Sequence, residues 1–524
     1  MKKLQKLPIG DSSFESIRLD NCVYVDKTRH IFKMIDEGKY YFMSRPRRFG
    51  KSLTVSTLEC LFRGRRELFG GLWIEGNSGW EWESHPVILL DFNEISHDTP
   101  ENLKYSLRRR LKKTADDYEI VSDSALIMDQ FRELIVGLSR KTGRRVVILI
   151  DEYDKPLIDH LGKGRDALDI AKASRDILKS FFGVLKGGSV ASKLRFVFIT
   201  GVSKFSRVSI FSELNNLVDI TMSEPYADML GYTQEDICTV FRPYIKALSE
   251  AVGDSENRII AKLETFYNGY RFSKRNIRVY NPFSVLSALL QKKFGNYWFE
   301  TGTPTFLVNL LRERNYPVAA LENLELDEQI FSVFDIEHLR PEPVLFQTGY
   351  ITIRHVEDRV YTFGYPNEEV RISFLKCLMF AHVPGNGVDQ SLFLKLSGYL
   401  EKENFGLFFE TMSSIFASIP YAIETKRDEA YFHTVFYLAV CASGVNADSE
   451  ILTCRGRIDM AVEFQDKIYI IEFKCNQSAE AAISQIHEKS YADRYRQRGK
   501  KIILMGIDFS TEKRNIAEWK TEEQ

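Results

Sequence analysis

Lys51 and Ser52 end a short basic stretch, Met43-Ser-Arg-Pro-Arg-Arg-Phe-Gly-Lys-Ser52, whose residue types suit phosphate chemistry. A glycine, then a lysine, then a hydroxyl can bring backbone N–H groups, an ammonium group and a metal-holding oxygen onto one polyphosphate. Lys51 is expected to reach the β- and γ-phosphates, and Ser52 to hold Mg²⁺. Arg48, Phe49 and Gly50 would contribute the amides of the turn. Arg45 stands where the first glycine of such loops usually lies. A second set follows five apolar residues in Arg144-Arg-Val-Val-Ile-Leu-Ile-Asp-Glu-Tyr-Asp-Lys-Pro156. Asp151 is placed to hold Mg²⁺ through water, and Glu152 to polarise an attacking water. Thr200, at the end of Leu194-Arg-Phe-Val-Phe-Ile-Thr-Gly201, could sense a phosphate, with Ser203 a poorer candidate.

A third set lies near the C-terminus, in Cys454-Arg-Gly-Arg-Ile-Asp-Met-Ala-Val-Glu-Phe464 and Lys467-Ile-Tyr-Ile-Ile-Glu-Phe-Lys-Cys475. Strand side chains alternate, so Glu472 and Lys474 share a face, and a hairpin would bring Asp459 beside them. Two carboxylates and a carbonyl oxygen suit Mg²⁺, a hard cation that keeps several waters. Lys474 beside that cation could orient the attacking water and stabilise charge on a phosphate. This is the constellation of metal-dependent phosphodiester hydrolysis. Upstream, Glu429 and His433 share one helix face at i, i+4. Glu429 is the expected additional metal ligand, and His433 reads as a core histidine.

The elements that must position these groups follow from periodicity. Lys39-Tyr-Tyr-Phe-Met43 reads as a strand and Leu53–Phe62 as a helix, so the first set sits on a strand–loop–helix unit. The apolar run before Asp151 reads as a buried parallel strand stopped by Pro156. Residues 86–92 and 194–200 add strands, and helices near 100–116, 124–141 and 166–186 fill the crossovers. Ligands of open α/β sheets bind at the carboxyl ends of the strands, where Asp151 lies. From about Glu224 the pattern changes to helices separated by aromatic-rich loops. Arg271, within that stretch, reads as a packing arginine. Residues 330–370 look like a β-rich connector, and a helix is expected from Ser478 to beyond Tyr491.

Arg45-Pro-Arg-Arg-Phe-Gly-Lys-Ser52, Asp151-Glu-Tyr-Asp-Lys-Pro156, Thr200-Gly-Val-Ser-Lys-Phe-Ser206 and Leu214-Asn-Asn216 together resemble the bacterial AAA-ATPase-like family. Members commonly carry Arg-Pro in place of the first loop glycine. The resemblance covers most of residues 1–225 and implies an ATP-binding AAA+ core followed by a helical lid. Gly456-Arg-Ile-Asp459, Glu472-Phe-Lys474 and Gln485 resemble the PD-(D/E)XK nuclease superfamily, over about residues 395–510. The implied fold class is α/β: a P-loop AAA+-type parallel sheet with helical lid, plus a C-terminal α/β restriction-endonuclease-like domain. The expected division is 1–223 core, 224–370 lid and connector, and 371–524 nuclease-like domain. The implied cofactors are ATP and Mg²⁺.

Composition narrows the class. A chain of 524 residues exceeds one core. Its 44% hydrophobic and 27% charged content is that of a globular protein. A formal net charge of −1 excludes a generally basic nucleic-acid binder. Local positive charge is available at Lys489, Arg494, Arg496, Arg498, Lys500 and Lys501, suiting a phosphate backbone. Seven cysteines without a CxxC pair suggest reduced thiols and a cytoplasmic setting. No run reaches the length of a membrane span. The expected partner is nucleic acid, DNA favoured over RNA by likeness to the superfamily, and a homo-oligomer is compatible with the chain. Two readings stand: an ATP-driven nuclease, or a nucleotide-switched regulator whose nuclease-like domain binds nucleic acid or a partner without cutting.

Overall fold

The computed structural model describes residues 4–122, 124–204, 210–211, 214–299, 305–314, 316–331, 339–382, 390–419, 429–445, 447–453 and 456–524. Phe205, Ser206, Cys454 and Arg455, which belong to the motifs above, and Arg427 and Asp428, expected to open the helix that carries Glu429 and His433, lie outside them. The chain divides into two compact units. The first comprises Met1–Gly302, Leu326–Thr362 and Pro366–Glu369; the second comprises Thr303–Glu325, Phe363–Tyr365 and Val370–Gln524.

The first unit is built on five strands: Tyr40–Ser44 (β1), Val87–Asp91 (β2), Val146–Asp151 (β3), Leu194–Gly201 (β4) and Val218–Asp219 (β5). They lie in the order β2-β3-β4-β1-β5, all neighbours parallel. All six β3 residues are buried, as a strand covered on both faces requires. The helix Pro100–Asp117 shows why the covering elements form. Thr99 caps it by accepting from Asn102 N, Pro100 opens it, and Leu103, Leu107 and Leu111 recur at i, i+4 on its buried face. The helices Ile127–Thr142 and Arg165–Gly183 occupy the two other expected stretches. Beyond β5, the helices Arg242–Val252, Glu256–Tyr267 and Pro282–Gln291 share a core with Val23 and Val25 near the N-terminus.

The stretch after residue 320 is less extended than its composition suggests. It holds the short strands Leu324–Asp327 (β6), Thr352–Glu357 (β7) and Val360–Gly364 (β8), but Pro341–Thr348 is helical. Pro341 preorganises the first turn and Gly349, at φ 89°, closes the last.

The second unit carries the strands Ala447–Thr453 (β9), Gly456–Glu463 (β10), Lys467–Cys475 (β11), Lys501–Ser510 (β12) and Asn515–Glu523 (β13), ordered β13-β12-β11-β10-β9. Only β11 and β12 are parallel, and the helix Ala479–Glu488 crosses between them. Ile483 and Ile486 of that helix pack with Ile468, Ile470, Ile502 and Leu504. The opposite face is aromatic: Phe432 stacks on Phe509 at 4.9 Å, and Phe436 meets Phe473 at 5.1 Å. The crossover helix stops at Glu488, earlier than expected. Ser490 takes φ 50°, and short turns at Tyr491–Arg494 and Arg496–Arg498 let Tyr491, Ala492 and Tyr495 enter the core. A buried polar cluster ties Thr303–Glu325 into this unit. Glu322 pairs with Arg371 at 2.8 Å and accepts from the Tyr437 hydroxyl at 2.8 Å, while Arg371 also reaches Ala447 O at 3.1 Å.

Gly506 sits opposite Glu472 in the β11–β12 ladder, and a Cβ there would collide with Ala479 O of the crossover helix. Gly506→Ala is therefore expected to destabilise the chain by about 1–3 kcal/mol, read as a lowered midpoint in chemical denaturation.

Candidate functional site

In the first unit the loop leaving β1 enters the helix Lys51–Phe62 through two left-handed residues, Arg48 at φ 66° and Gly50 at φ 97°. A Cβ on Gly50 would meet nothing within 4 Å, so the glycine is needed for its backbone conformation and not for space. The loop opens on a cavity of about 460 Å³, lined by Arg47, Arg48, Gly50, Lys51, Ser52 and Glu152, with Tyr232 and Phe283 also on its wall. Arg48 lies over the Phe283 ring at 4.9 Å. Lys51 is 4% exposed, and its Nζ lies 3.2 Å from Pro46 O and 3.4 Å from Glu152 Oε1. Glu152 follows the last residue of β3 with φ 51°, a conformation uncommon for a side-chain-bearing residue. Asp151, beside it, is buried and interacts with the Ser52 hydroxyl. Burial first, and the Glu152 charge second, push Asp151 up to about 6. Lys51, Ser52, Asp151 and Glu152 are thus gathered at the carboxyl end of the sheet.

Two of the sequence candidates turn their side chains elsewhere. Thr200 is fully buried and donates its hydroxyl to Met43 O at 2.8 Å, between β4 and β1. The Phe49 ring packs edge-on against Tyr270 at 4.8 Å and Phe272 at 5.5 Å. Arg271 folds onto its own loop, donating to Ser273 O and Arg275 O. Asp154 lines the cavity although sequence reasoning assigned it nothing. Its carboxylate accepts from Val202 N at 3.3 Å and from Ser203 N and Oγ, each at 2.7 Å. Gly201 permits that approach, since a Cβ there would collide with Asp154 Oδ1. The signal was present in Asp151-Glu-Tyr-Asp154: a third acid with only Tyr153 between it and the pair.

In the second unit the β10–β11 ladder runs to Met460 opposite Ile471, and the Asp459 side chain then accepts from Phe473 N at 2.9 Å. That bond draws Asp459 toward Glu472. Glu472 is 1% exposed; its Oε1 accepts from Lys474 Nζ at 3.1 Å and from Gln485 Nε2. Its Oε2 is buried without a hydrogen-bond partner among the described residues. Lys474 Nζ also reaches Phe473 O at 3.1 Å. Burial, and then the Asp459 charge, raise the Glu472 carboxyl well above the ordinary carboxylate range. An unmet buried oxygen beside a second carboxylate and a carbonyl is a donor set that fits a hard divalent cation.

Glu429 begins the helix Glu429–Ala442 at an exposed position; its charge acts on Glu472 less than those of Asp459 and Lys474. No cluster of three or more Asp, Glu, His or Cys able to hold a metal occurs among the described residues. His433 is buried against Phe473, ring centroids 4.8 Å apart, and burial lowers it to about 4, so it packs as a neutral ring. The basic run is largely answered within the unit. Arg496 pairs with Asp493, Arg498 and Lys500 with Glu463, and Lys501 with Glu403 and Glu523.

Comparison with known proteins agrees with this geometry. A family model described as predicted AAA-ATPase matches residues 8–211, and one described as PD-(D/E)XK nuclease superfamily matches residues 427–519. A protein of Azotobacter chroococcum mcd 1, described as an uncharacterized protein in the vnfD 5′ region, is 37% identical over 525 residues, covering 98% of each chain. No helix among the described residues is long and apolar enough to cross a membrane. With the parallel sheet and its loop in the first unit and the Asp459, Glu472 and Lys474 sheet in the second, the chain belongs to the AAA-ATPase-like family and carries a C-terminal PD-(D/E)XK nuclease superfamily domain.

Proposed function

We propose that the chain is an ATP-hydrolysing, Mg²⁺-dependent nuclease, acting on DNA phosphodiesters. In this reading residues 1–223 form the ATPase-like core, 224–370 a helical lid and connector, and 371–524 the nuclease-like domain. One observation carries it: each site holds a lysine against a buried or half-buried carboxylate, Lys51 with Glu152 and Lys474 with Glu472. A lysine so placed can trade its carboxylate for a phosphate, and the carboxylate it leaves becomes available for water.

At the first site Lys51 takes up phosphate charge, and Ser52 with Asp151 would hold Mg²⁺. Glu152, released from Lys51, accepts the proton of the attacking water. At the second site Asp459, Glu472 and the Phe473 carbonyl would hold Mg²⁺, which supplies charge neutralisation and an acidified water. Lys474 sits where negative charge grows on the phosphate, and Gln485 keeps the Glu472 carboxylate in place. The paired basic run tells against a preformed backbone track, although exposed pairs of this kind contribute little and exchange readily with phosphate. Those same pairs favour the second reading, in which the domain binds without cutting.

Lys51→Ala is expected to weaken nucleotide binding by about 2–5 kcal/mol, because a buried charge partner is lost; calorimetric titration with ATP reads it. Glu152→Gln should bind nucleotide normally while hydrolysing it about 10²–10⁴-fold more slowly. Equal hydrolysis in both proteins removes Glu152 from the mechanism.

Asp459→Ala should lose Mg²⁺ affinity, whereas Lys474→Ala should keep it and cut about 10²–10³-fold more slowly. Metal titration and cleavage assays on the same preparations, with single- and double-stranded DNA and RNA as substrates, separate the two. A wild-type protein that binds metal and nucleic acid but cuts nothing establishes the regulator reading instead. If the two activities form one machine, Lys51→Ala should also shift cleavage by the equivalent of about 1–3 kcal/mol.

A further inference from the structure

Beneath the phosphate loop lies a charged cluster that the proposed chemistry does not use. Arg45 is 1% exposed; its Nη1 donates to Ser44 O at 3.0 Å and Thr221 O at 2.7 Å, and its Nη2 to Tyr226 O at 3.3 Å. The guanidinium lies over the Phe272 ring at 4.3 Å. Thr221 completes the contact, its hydroxyl accepting from Ser44 N at 3.0 Å. Asp219, the carboxylate whose charge Arg45 feels, is ion-paired with Lys204 at 2.8 Å. Arg45 Nε has no hydrogen-bond partner among the described residues.

The rest of the loop is held from the same side. Gly349 approaches Pro46 so closely that a Cβ would lie 2.8 Å from the proline ring, and Trp298 Nε1 donates to Arg47 O at 3.0 Å. Phe49 packs on Tyr270 and Phe272. Arg45 is not among the residues of positive φ; that conformation falls on Arg48 and Gly50. The position therefore has no need of a glycine's backbone freedom. It has a use for a long side chain with forked donors, which three carbonyls in different directions can satisfy.

We propose that Arg45 is a positioning residue: its guanidinium clamps the start of the phosphate loop to residues 219–226 and to Phe272, and so fixes where Gly50, Lys51 and Ser52 present themselves. Three neutral carbonyls and an already paired carboxylate leave its positive charge only partly answered. That charge lies beneath a loop meant for an anion, where it also attracts phosphate. The clamp itself is a property of the fold; its effect on nucleotide rests on the function proposed above.

Two readouts on full-length Arg45→Gly, Arg45→Gln and Arg45→Lys separate these parts. Amide hydrogen exchange without nucleotide reads the clamp. It should rise together at residues 43–52 and 219–226 in the Gly and Gln variants, with Lys intermediate. Titration with ATP and Mg²⁺ reads the positioning: the Gly variant should bind about tenfold more weakly, the equivalent of ~1.4 kcal/mol, and KM should move more than kcat. Unchanged exchange in Arg45→Gly overturns the clamp. Raised exchange with wild-type affinity overturns the positioning role. Should the wild-type protein bind no nucleotide, the proposed function fails while exchange still decides the clamp. If Arg45→Gly does not fold, Arg45→Lys carries both comparisons, because it keeps the charge and loses the fork.

Discussion

Charge removed from water has to be answered, and much of this chain's local geometry follows from how that is done. Lys51 is buried at the start of a helix and meets Glu152, which stands in a left-handed conformation at the end of β3. Asp154 is buried three residues after Asp151 and is answered by the amides and hydroxyl of the loop after β4. Each answer costs conformational freedom, so the site arrives already ordered. Pairing of this kind also holds the Lys51 and Lys474 side chains in place.

The second unit uses the same device on a different scaffold. A carboxylate, Asp459, takes a backbone N–H beyond the last strand pair, and the strand edge turns into a site. The crossover helix then comes close because β12 offers a glycine opposite Glu472, and Gln485 reaches the carboxylate from above the sheet. Packing of a helix on a sheet and orientation of the Glu472 carboxylate are therefore one requirement, met at Gly506.

Legibility in the sequence followed burial on both faces. Val146–Asp151 and Lys467–Cys475 are near-continuous apolar runs, and both are strands, Asp151 closing the first and Glu472 lying within the second. The helix Lys51–Phe62 and the loop before it were equally plain, because an apolar strand and a helical run bracket the turn. What the sequence concealed depended on partners distant along the chain. Thr200 reads as a sensor until the Met43 carbonyl is beside it, 157 residues away. Residues 330–370 read as a β-rich connector, yet Pro341 and Gly349 delimit a helix within them. That Arg45 replaces a glycine is legible, but not what it holds, because its carbonyl partners lie at Thr221 and Tyr226.

The second unit draws on three separate stretches of chain, and this imposes a timetable on synthesis. Glu322 emerges well before the residues that answer its charge, and Tyr437 follows it by 115 residues. At elongation speeds of about 5–20 residues per second that gap is roughly 6–23 s. During it the first unit has nearly all of its sequence available, while Thr303–Glu325 still lacks most of the body it folds against. Its buried contacts with Arg371 and Tyr437 close only once the last third of the chain has begun to emerge. Modules strung end to end never face this wait, and a cut between the two units at any single peptide bond would leave one of them incomplete.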